Sequence, residues 1–141
     1  MKRIISLFFI CLLMLNSNIL LPQEMNPKKT TANEACVKTL LMGLNSENGG
    51  VKNGCAFLFG ELCCDRGVIP LLRILHSDPK EEVRIMAALS LYKIGDSRGI
   101  FAIKQAIRFD DSRRVSRLCE KFYKAHLLRN SENLQTDVAL N

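Results

Sequence analysis

Residues 81–112 read EEVRIMAALSLYKIGDSRGIFAIKQAIRFDDS, the pattern of a helix, a tight turn and a second helix. Over residues 83–94 the apolar side chains recur every three or four positions, as they do along the buried face of an α-helix. Gly95 and the polar residues after it then supply a helix end and a turn. The same spacing resumes at Ile100 and Ile103. This stretch is therefore predicted to form an antiparallel helix pair.

The pair has a partial copy upstream in the sequence, and a third copy begins at Val115. Placing Val51 over Val83 aligns the two copies without a gap. The matched residues include Ala56 with Ala88, Arg66 with Arg98, Gly67 with Gly99 and Asp78 with Asp110. One helix pair cannot bury its apolar faces alone, so the copies must stack. The predicted fold is all-α, an α-solenoid of about three antiparallel helix pairs in which Val51 and Val83 have equivalent surroundings.

Six helices are expected, each bounded by a cap or a turn. Their approximate limits are Asn33 to Leu44, Val51 to Cys63, Gly67 to His76, Pro79 to Ile94, Arg98 to Arg108 and Ser112 to Leu128. Asn33 is predicted to cap the first helix, and Asp78 to cap the fourth with Pro79 in its first turn. Gly54 and Gly60 would weaken the second helix, so they are interpreted as points where neighbouring helices approach closely.

The run VRIMAALSLYKIGDSRGIFAIKQAI, followed by two aspartates, resembles the HEAT-like repeat of the bacterial PBS-lyase type. The shared features are a Val-Arg start, paired alanines, an Ile-Gly-Asp turn and an arginine before the second helix. The preceding unit departs from the pattern, with Cys63-Cys64-Asp65 in place of Gly95-Asp96-Ser97. The resemblance implies an α-solenoid used for protein interaction or scaffolding. The lyases for which this repeat type is named are similar in the repeat alone, so lyase activity is not expected.

The two ends of the chain have different compositions from the middle. Lys2-Arg3 precede an apolar run from Ile4 to Leu15, the layout of a secretory signal, and residues 1–22 are interpreted as one. Residues 23–33 are predicted to be a linker, residues 34–129 the repeat domain and residues 130–141 a disordered polar tail. The protein is expected to be exported, to the periplasm or the extracellular space. The alternatives are an uncleaved membrane anchor at the N-terminus and a cytoplasmic protein.

Five of the six cysteines would remain after removal of the signal, and an exported chain meets an oxidising compartment. The first two helices should be antiparallel, which places Cys36 near the end of the second helix. A disulfide from Cys36 to Cys63 or Cys64 is therefore the expected pairing, and the alternative is that these are small buried apolar residues. Cys55 is expected in the core, and Cys119 free or buried. No CxxC pair occurs, so neither a metal nor a cofactor is expected.

The sequence offers little that resembles catalytic machinery. His76 and His126 have no acid or nucleophile at an informative spacing, and no phosphate-binding loop, nucleophile elbow or HExxH motif is present. Asp96 is interpreted as a turn and cap residue. The chain is therefore predicted to be non-enzymatic. The competing hypothesis is a small periplasmic enzyme or lyase that uses a thiolate or an acid among residues 63–65.

Basic residues are concentrated near the C-terminus. Between Arg98 and Arg129 there are nine basic and three acidic residues, a net charge equal to the +6 of the whole chain. Four of them share one face of the last helix: Arg113, Arg117, Lys121 and Lys124. This face is either a docking strip for an acidic protein, an anionic lipid surface or nucleic acid, or the polar outer face of a capping helix. The capping interpretation is favoured, because an exported protein rarely meets nucleic acid.

The second helices of a solenoid usually line one continuous surface. The offset between the copies predicts three rows on it, namely Arg73 with Gln105, His76 with Arg108 and Ser77 with Phe109. Phe109 is either an exposed contact residue or is folded under the final turn. The first helix lacks a partner and should expose Ala35, Thr39 and Met42, where self-association is conceivable. The sequence as a whole predicts an exported, non-enzymatic module that binds a protein partner.

Overall fold

In the computed structural model the described residues are 33–139, with side chains described to residue 133. The predicted signal and residues 23–32 of the predicted linker lie outside them. The described part contains α-helices and one short 3₁₀ turn at Asp65–Gly67, and no strand. The helices are α1 (Glu34–Leu44), α2 (Gly49–Glu61), α3 (Val68–Ser77), α4 (Glu81–Ile94), α5 (Ser97–Phe109) and α6 (Arg113–Ala139). The predicted number of helices is confirmed over this range.

The helices are arranged in two rows. The first helices of successive repeats, α2, α4 and α6, pack side by side, and so do the second helices α3 and α5. Two ion pairs join equivalent positions of neighbouring repeats, Glu34 with Arg66 and Glu61 with Lys93. In both pairs the partners are 32 residues apart in sequence. These contacts confirm the repeat length, and with it the all-α solenoid.

Equivalent residues fill the core of each repeat. Ala56 and Ala88 are both fully buried, and so are Leu71 and Ile103, which occupy matching positions in α3 and α5. Phe59 of α2 is likewise fully buried at the position of Leu91 in α4. The apolar pattern that repeats along the sequence therefore forms one continuous core through the stack.

Val51 is the exception to this equivalence. Val83 of α4 and Val115 of α6 are 1% and 0% exposed, whereas Val51 is 45% exposed. The predicted equivalence of Val51 and Val83 is therefore wrong. Val83 is covered because α2 packs against α4, and Val115 is covered because α4 packs against α6. Among the described residues, no first helix precedes α2 in the same way.

Two helix limits also differ from the prediction. α4 begins at Glu81 rather than Pro79, since the Oδ1 atom of Asp78 accepts a hydrogen bond from the Lys80 backbone N–H at 3.0 Å and holds residues 78–80 in a turn. α6 does not end near Leu128. It continues to Ala139, so residues 130–139 of the predicted tail are helical. Those residues include neither glycine nor proline, and a polar helix can extend into solvent without an apolar face.

The glycines of the repeats have distinct roles. Gly95 ends α4 in the left-handed conformation, with φ of 75°, which confirms it as the predicted helix end. A Cβ atom on Gly60 would lie 2.9 Å from the Cα atom of Ser90, so α2 and α4 approach closely there, as predicted. A Cβ atom on Gly54 would have no neighbour within 4 Å. The predicted close approach at Gly54 is therefore wrong.

Cys63 occupies the position of Gly95 one repeat earlier. Its φ is 46°, and among the described residues other than glycine it alone has a positive φ. This conformation brings the Cβ atom of an ordinary residue close to its own backbone, at a cost of about 1–2 kcal/mol. The first repeat therefore carries a strained backbone at the point where the second repeat has glycine.

Replacing Cys63 with glycine is expected to raise the free energy of unfolding by about 1 kcal/mol, because glycine adopts this conformation without steric cost. Urea unfolding followed by circular dichroism would measure the change. The matched control, Gly95→Ala, introduces the same steric conflict and should lower the free energy of unfolding. A Cys63→Gly protein no more stable than the parent would contradict this prediction.

Candidate functional site

Two grooves lie between the second helices, one between α1 and α3 and one between α3 and α5. The α1–α3 groove has a volume of about 270 Å³ and the α3–α5 groove about 800 Å³. Each residue that lines the smaller groove has its equivalent, one repeat later, in the lining of the larger one. Residues 77–79 line both grooves. The two grooves are therefore repeated versions of one surface that runs across the second helices.

The α3–α5 groove combines an apolar lining with exposed groups. Its apolar residues come from both helices: Leu72 and Leu75 from α3, and Ala102 and Ala106 from α5. His76, Gln105 and Phe109 also line it, and all three are exposed. The side chain of Phe109 is 77% exposed, so this ring does not fold under the final turn. Phe109 stands where the α1–α3 groove has Ser77.

One end of the α3–α5 groove is formed by a buried ion-pair network. Arg84 is 7% exposed. Its Nε and Nη2 atoms donate to the two carboxylate oxygens of Asp110 at 3.0 and 2.9 Å, and Nη2 also donates to Asp111 at 2.7 Å. Nη1 donates to the backbone carbonyl of Asp78, in the preceding repeat, at 2.9 Å. The guanidinium therefore joins both ends of its own repeat to the neighbouring one.

The charges of this network are stabilised by their partners. The hydrogen bonds to Asp110 raise the pKa of Arg84 despite the opposing effect of burial. Burial by itself would raise the pKa of Asp110, but hydrogen bonds from Arg84 and from the Ser112 N–H outweigh it and lower that pKa. These groups therefore stay ionised over the ordinary pH range, and they are already paired. The network is suited to hold the repeat together rather than to exchange protons.

The preceding repeat has the same pair at the end of the α1–α3 groove. Lys52, which stands at the position of Arg84, contacts the carboxylate of Asp78 at 2.6 Å. Burial opposes ionisation of Asp78, but hydrogen bonds from Lys52 and from the Lys80 N–H lower its pKa below the usual value. In both repeats the acid follows the cation by 26 residues. That recurrence could have identified these pairs from the sequence, where Asp78 was predicted only as a cap.

The structure brings together some of the predicted binding residues and separates others. His76, Gln105 and Phe109 line the α3–α5 groove, and Arg73 lines the α1–α3 groove. Arg108 is exposed but lines neither. His76 is the equivalent of Arg108 one repeat earlier, and it faces α5, the second helix that follows its own. Arg108 therefore points onward from α5, away from the α3–α5 groove. His76 and Arg108 therefore hold equivalent exposed positions on successive second helices, as the predicted row requires, but they do not share a groove.

The basic strip of α6, Arg113, Arg117, Lys121 and Lys124, is exposed along its length. Lys124 forms an ion pair with Glu120 at 2.7 Å, and the Nε atom of Arg117 donates to the Arg113 carbonyl at 3.2 Å. No acidic side chain pairs with Arg113 or Lys121 among the contacts of the described residues. The strip therefore presents net positive charge at the C-terminal end of the stack.

The five cysteines in the described part are free thiols. The predicted disulfide from Cys36 to Cys63 or Cys64 is not formed in the structure. Cys36 is exposed on α1, whereas the Sγ atom of Cys63 contacts the backbone carbonyls of Gly60 and Lys93 at 3.6 and 3.7 Å, on the side of α4. Cys119 is fully buried, and burial, with a smaller effect of Asp110, raises the pKa of its thiol to about 12.

The described residues have neither a metal-binding cluster nor a membrane-spanning helix. They contain no cluster of three or more histidine, cysteine, aspartate or glutamate side chains that could hold a metal ion. They also contain no helix with both the length and the apolar character needed to cross a membrane.

Replacing Arg84 with methionine should lower the free energy of unfolding by about 3 kcal/mol, because it leaves the buried carboxylate of Asp110 without its partner. Urea unfolding would measure the loss. The matched control is Arg98→Met, which removes an exposed ion pair with Asp96 and should have a much smaller effect. Equal losses in the two proteins would show that the Arg84 network has no special role in stability.

The family comparison covers most of the region described above. Residues 37–121 match the family described as HEAT repeats. The match extends from α1 into α6 and contains both grooves and the ion pairs of Lys52 with Asp78 and of Arg84 with Asp110. No curated protein matches the chain significantly. HEAT repeats commonly mediate protein–protein interaction. Since the match spans more than half of the 141 residues, the chain belongs to the HEAT repeat family.

Proposed function

We propose that this protein is an exported, non-enzymatic interaction module that binds a protein partner along the α3–α5 groove. The observation that carries the proposal is the exposed ring of Phe109 beside a groove of about 800 Å³ with an apolar lining. Burying a large apolar side chain contributes about 1.5–3 kcal/mol, and aromatic residues are enriched among those that dominate binding energy. Phe109 is therefore the proposed anchor of the interface.

The groove suits a segment of protein chain that presents an apolar side chain. Leu72, Leu75, Ala102 and Ala106 offer space for such a side chain between the two helices. The amide of Gln105 can both donate and accept hydrogen bonds, so it can pair with the backbone of an extended segment. These features support a peptide or loop as the bound element.

Exposed cations support an acidic character for this partner. Arg73 lines the adjoining α1–α3 groove, and Arg108 is exposed on α5. Neither forms an ion pair within the described residues. Cations free of internal partners attract acidic groups and increase the rate of association. Acidic residues in the parts of the partner that extend beyond the α3–α5 groove, over the α1–α3 groove on one side and past α5 on the other, would pair with these cations.

The chemistry of the ionisable groups supports binding over catalysis. The carboxylates of Asp78 and Asp110 are held ionised in pairs, and the Cys119 thiol is buried with a high pKa. The competing enzyme hypothesis relies on residues 63–65. Both cysteines there are partly buried, Cys64 packs against the core and the Cys63 thiol contacts two backbone carbonyls. This packing supports a structural role for both side chains.

A photo-reactive phenylalanine analogue at position 109 is expected to cross-link a protein partner in cells that make this chain. The matched control is the same analogue at Phe101, which lies on the same helix, is 62% exposed and lines neither groove. Mass spectrometry of the cross-linked product would identify the partner. Equal cross-linking at both positions, or none at position 109, would contradict the proposed site.

The proposed export rests on the charged and apolar layout of residues 1–22. We expect the mature protein to lack about these residues and to be recovered outside the cytoplasm. Cell fractionation followed by mass spectrometry of the N-terminal peptide would measure both. An intact N-terminus in the membrane fraction would favour the anchored alternative, and recovery from the cytoplasm would contradict export and reopen the possibility of nucleic-acid binding.

A further inference from the structure

The contacts between first helices define two stacking faces on each of them. Gly60 of α2 lies against Ser90 of α4, and Tyr92 of α4, at the position of Gly60, stacks on Phe122 of α6 with ring centroids 5.9 Å apart. The position shared by Gly60 and Tyr92 therefore faces the following helix. The position shared by Ser90 and Phe122 faces the preceding one. The residues at these two positions in α2 and α6 therefore determine the chemical character of the two ends of the stack.

At the C-terminal end the forward face carries positive charge. Lys124 occupies the forward-facing position of Gly60 and Tyr92. Phe57 of α2 also faces forward, since the ammonium of Lys93 in α4 lies 5.1 Å from the centroid of its ring. Lys121 occupies the position of Phe57, two repeats later. A further helix packed here would remove these ammonium groups from water, which is costly without buried partners. The basic strip of α6 therefore closes this end of the stack.

The N-terminal end carries apolar side chains instead. Leu58 occupies the backward-facing position of Ser90 and Phe122, and Val51 that of Val83 and Val115. They are 44% and 45% exposed. Met42 of α1 is 68% exposed at the position of Ile74, which lines the groove toward the preceding helix. We call Met42, Val51, Leu58 and the open Gly54 between them the N-terminal face.

The part of the N-terminal face on α2 is also uncharged. On α1, Lys38 lies one turn before Met42, at the position of Pro70, which lines the same groove as Ile74. α2 contains only two charged residues, Lys52 and Glu61. Both are engaged elsewhere, Lys52 with Asp78 and Glu61 with Lys93. A helix face that remains in water normally carries charged or polar side chains. This face instead has the composition of a surface that packs against another apolar surface.

We propose that the N-terminal face binds the same face of a second copy of this chain, in a two-fold symmetric dimer. A largely apolar face that carries no unengaged charge on α2 is complementary to itself, as such an interface requires. Head-to-tail stacking is excluded because it would bury the lysines of α6 against apolar groups.

The dimensions of the face fit a small dimer interface. At 1.5 Å per residue, α2 is about 20 Å long and α1 about 16 Å. Two adjacent helices of this length provide an interface near the lower end of the range for specific complexes. Gly54, which has no neighbour within 4 Å, removes a side chain from the centre of the contact and lets two α2 helices approach each other.

Sedimentation velocity at protein concentrations from about 1 to 100 μM tests the proposal. This range covers dissociation constants in the micromolar region. The protein is purified after any processing by the cells that produce it, and it should sediment as a dimer at the upper end. Gly54→Arg adds a long charged side chain in open space, so the monomer keeps its fold while the dimer is blocked. Leu58→Glu should act in the same way. Each substitution is expected to raise the dissociation constant at least about 100-fold.

Ile69→Glu is the matched control, because Ile69 is 53% exposed on α3 and lies outside the N-terminal face. It should leave the dimer intact, and circular dichroism should show the parental helix content in all three variants. A parent protein that stays monomeric would overturn the proposal, and so would a dimer that persists in Gly54→Arg and Leu58→Glu. A protein that stays monomeric because its own residues 1–22 cover the N-terminal face would also overturn the proposal.

Discussion

The structure depends on a cation, buried in one repeat and partly buried in the other, that meets a buried or partly buried carboxylate 26 residues later in the sequence. Each repeat has the cation in the first turns of its first helix and the acid just after its second helix, so the pair fixes where the hairpin closes. In the second repeat the guanidinium of Arg84 also donates to a carbonyl of the preceding repeat. Lys52 has a single ammonium group and contacts Asp78. The ion pairs therefore define the register of each hairpin, and the apolar core fills the space between them.

Much of the fold could be predicted from the sequence because its signals are local or strictly periodic. The left-handed conformation of Gly95 and the burial of Ala56 and Ala88 follow from one gapless alignment of the two copies. The exposure of Val51 could not be predicted in this way, since it depends on which helix lies beside α2 and not on the repeat itself. The length of α6 was also missed, because a solvent-exposed polar helix has no apolar period to reveal it.

The candidate site was only partly accessible to the same reasoning. Periodicity places His76, Gln105 and Phe109 on the second helices, and the structure shows that they line one groove. It could not show that Arg108 turns to the opposite side of α5, because the rows were drawn along the repeat rather than across the space between two helices. The buried pairs were missed for a different reason. Asp78 was predicted as a helix cap from its residue type, although the N-cap of α4 is Lys80. The pairing becomes visible in the sequence only when the spacing of 26 residues between cation and acid is seen to recur in two repeats.

The close approach at Gly60 has a consequence for the shape of the groove on the other side of the molecule. Where α2 and α4 meet, the absence of a side chain brings the two hairpins together along their first helices. Hairpins that converge along one edge diverge along the other, and the groove with the larger volume lies on that other edge, between α3 and α5. At the next junction two aromatic rings, Tyr92 and Phe122, occupy the corresponding space. The space available to the segment that we propose binds there is thus influenced by side-chain volume at a position outside the groove. Natural variation at that position is expected to alter partner preference without changing any residue of the groove.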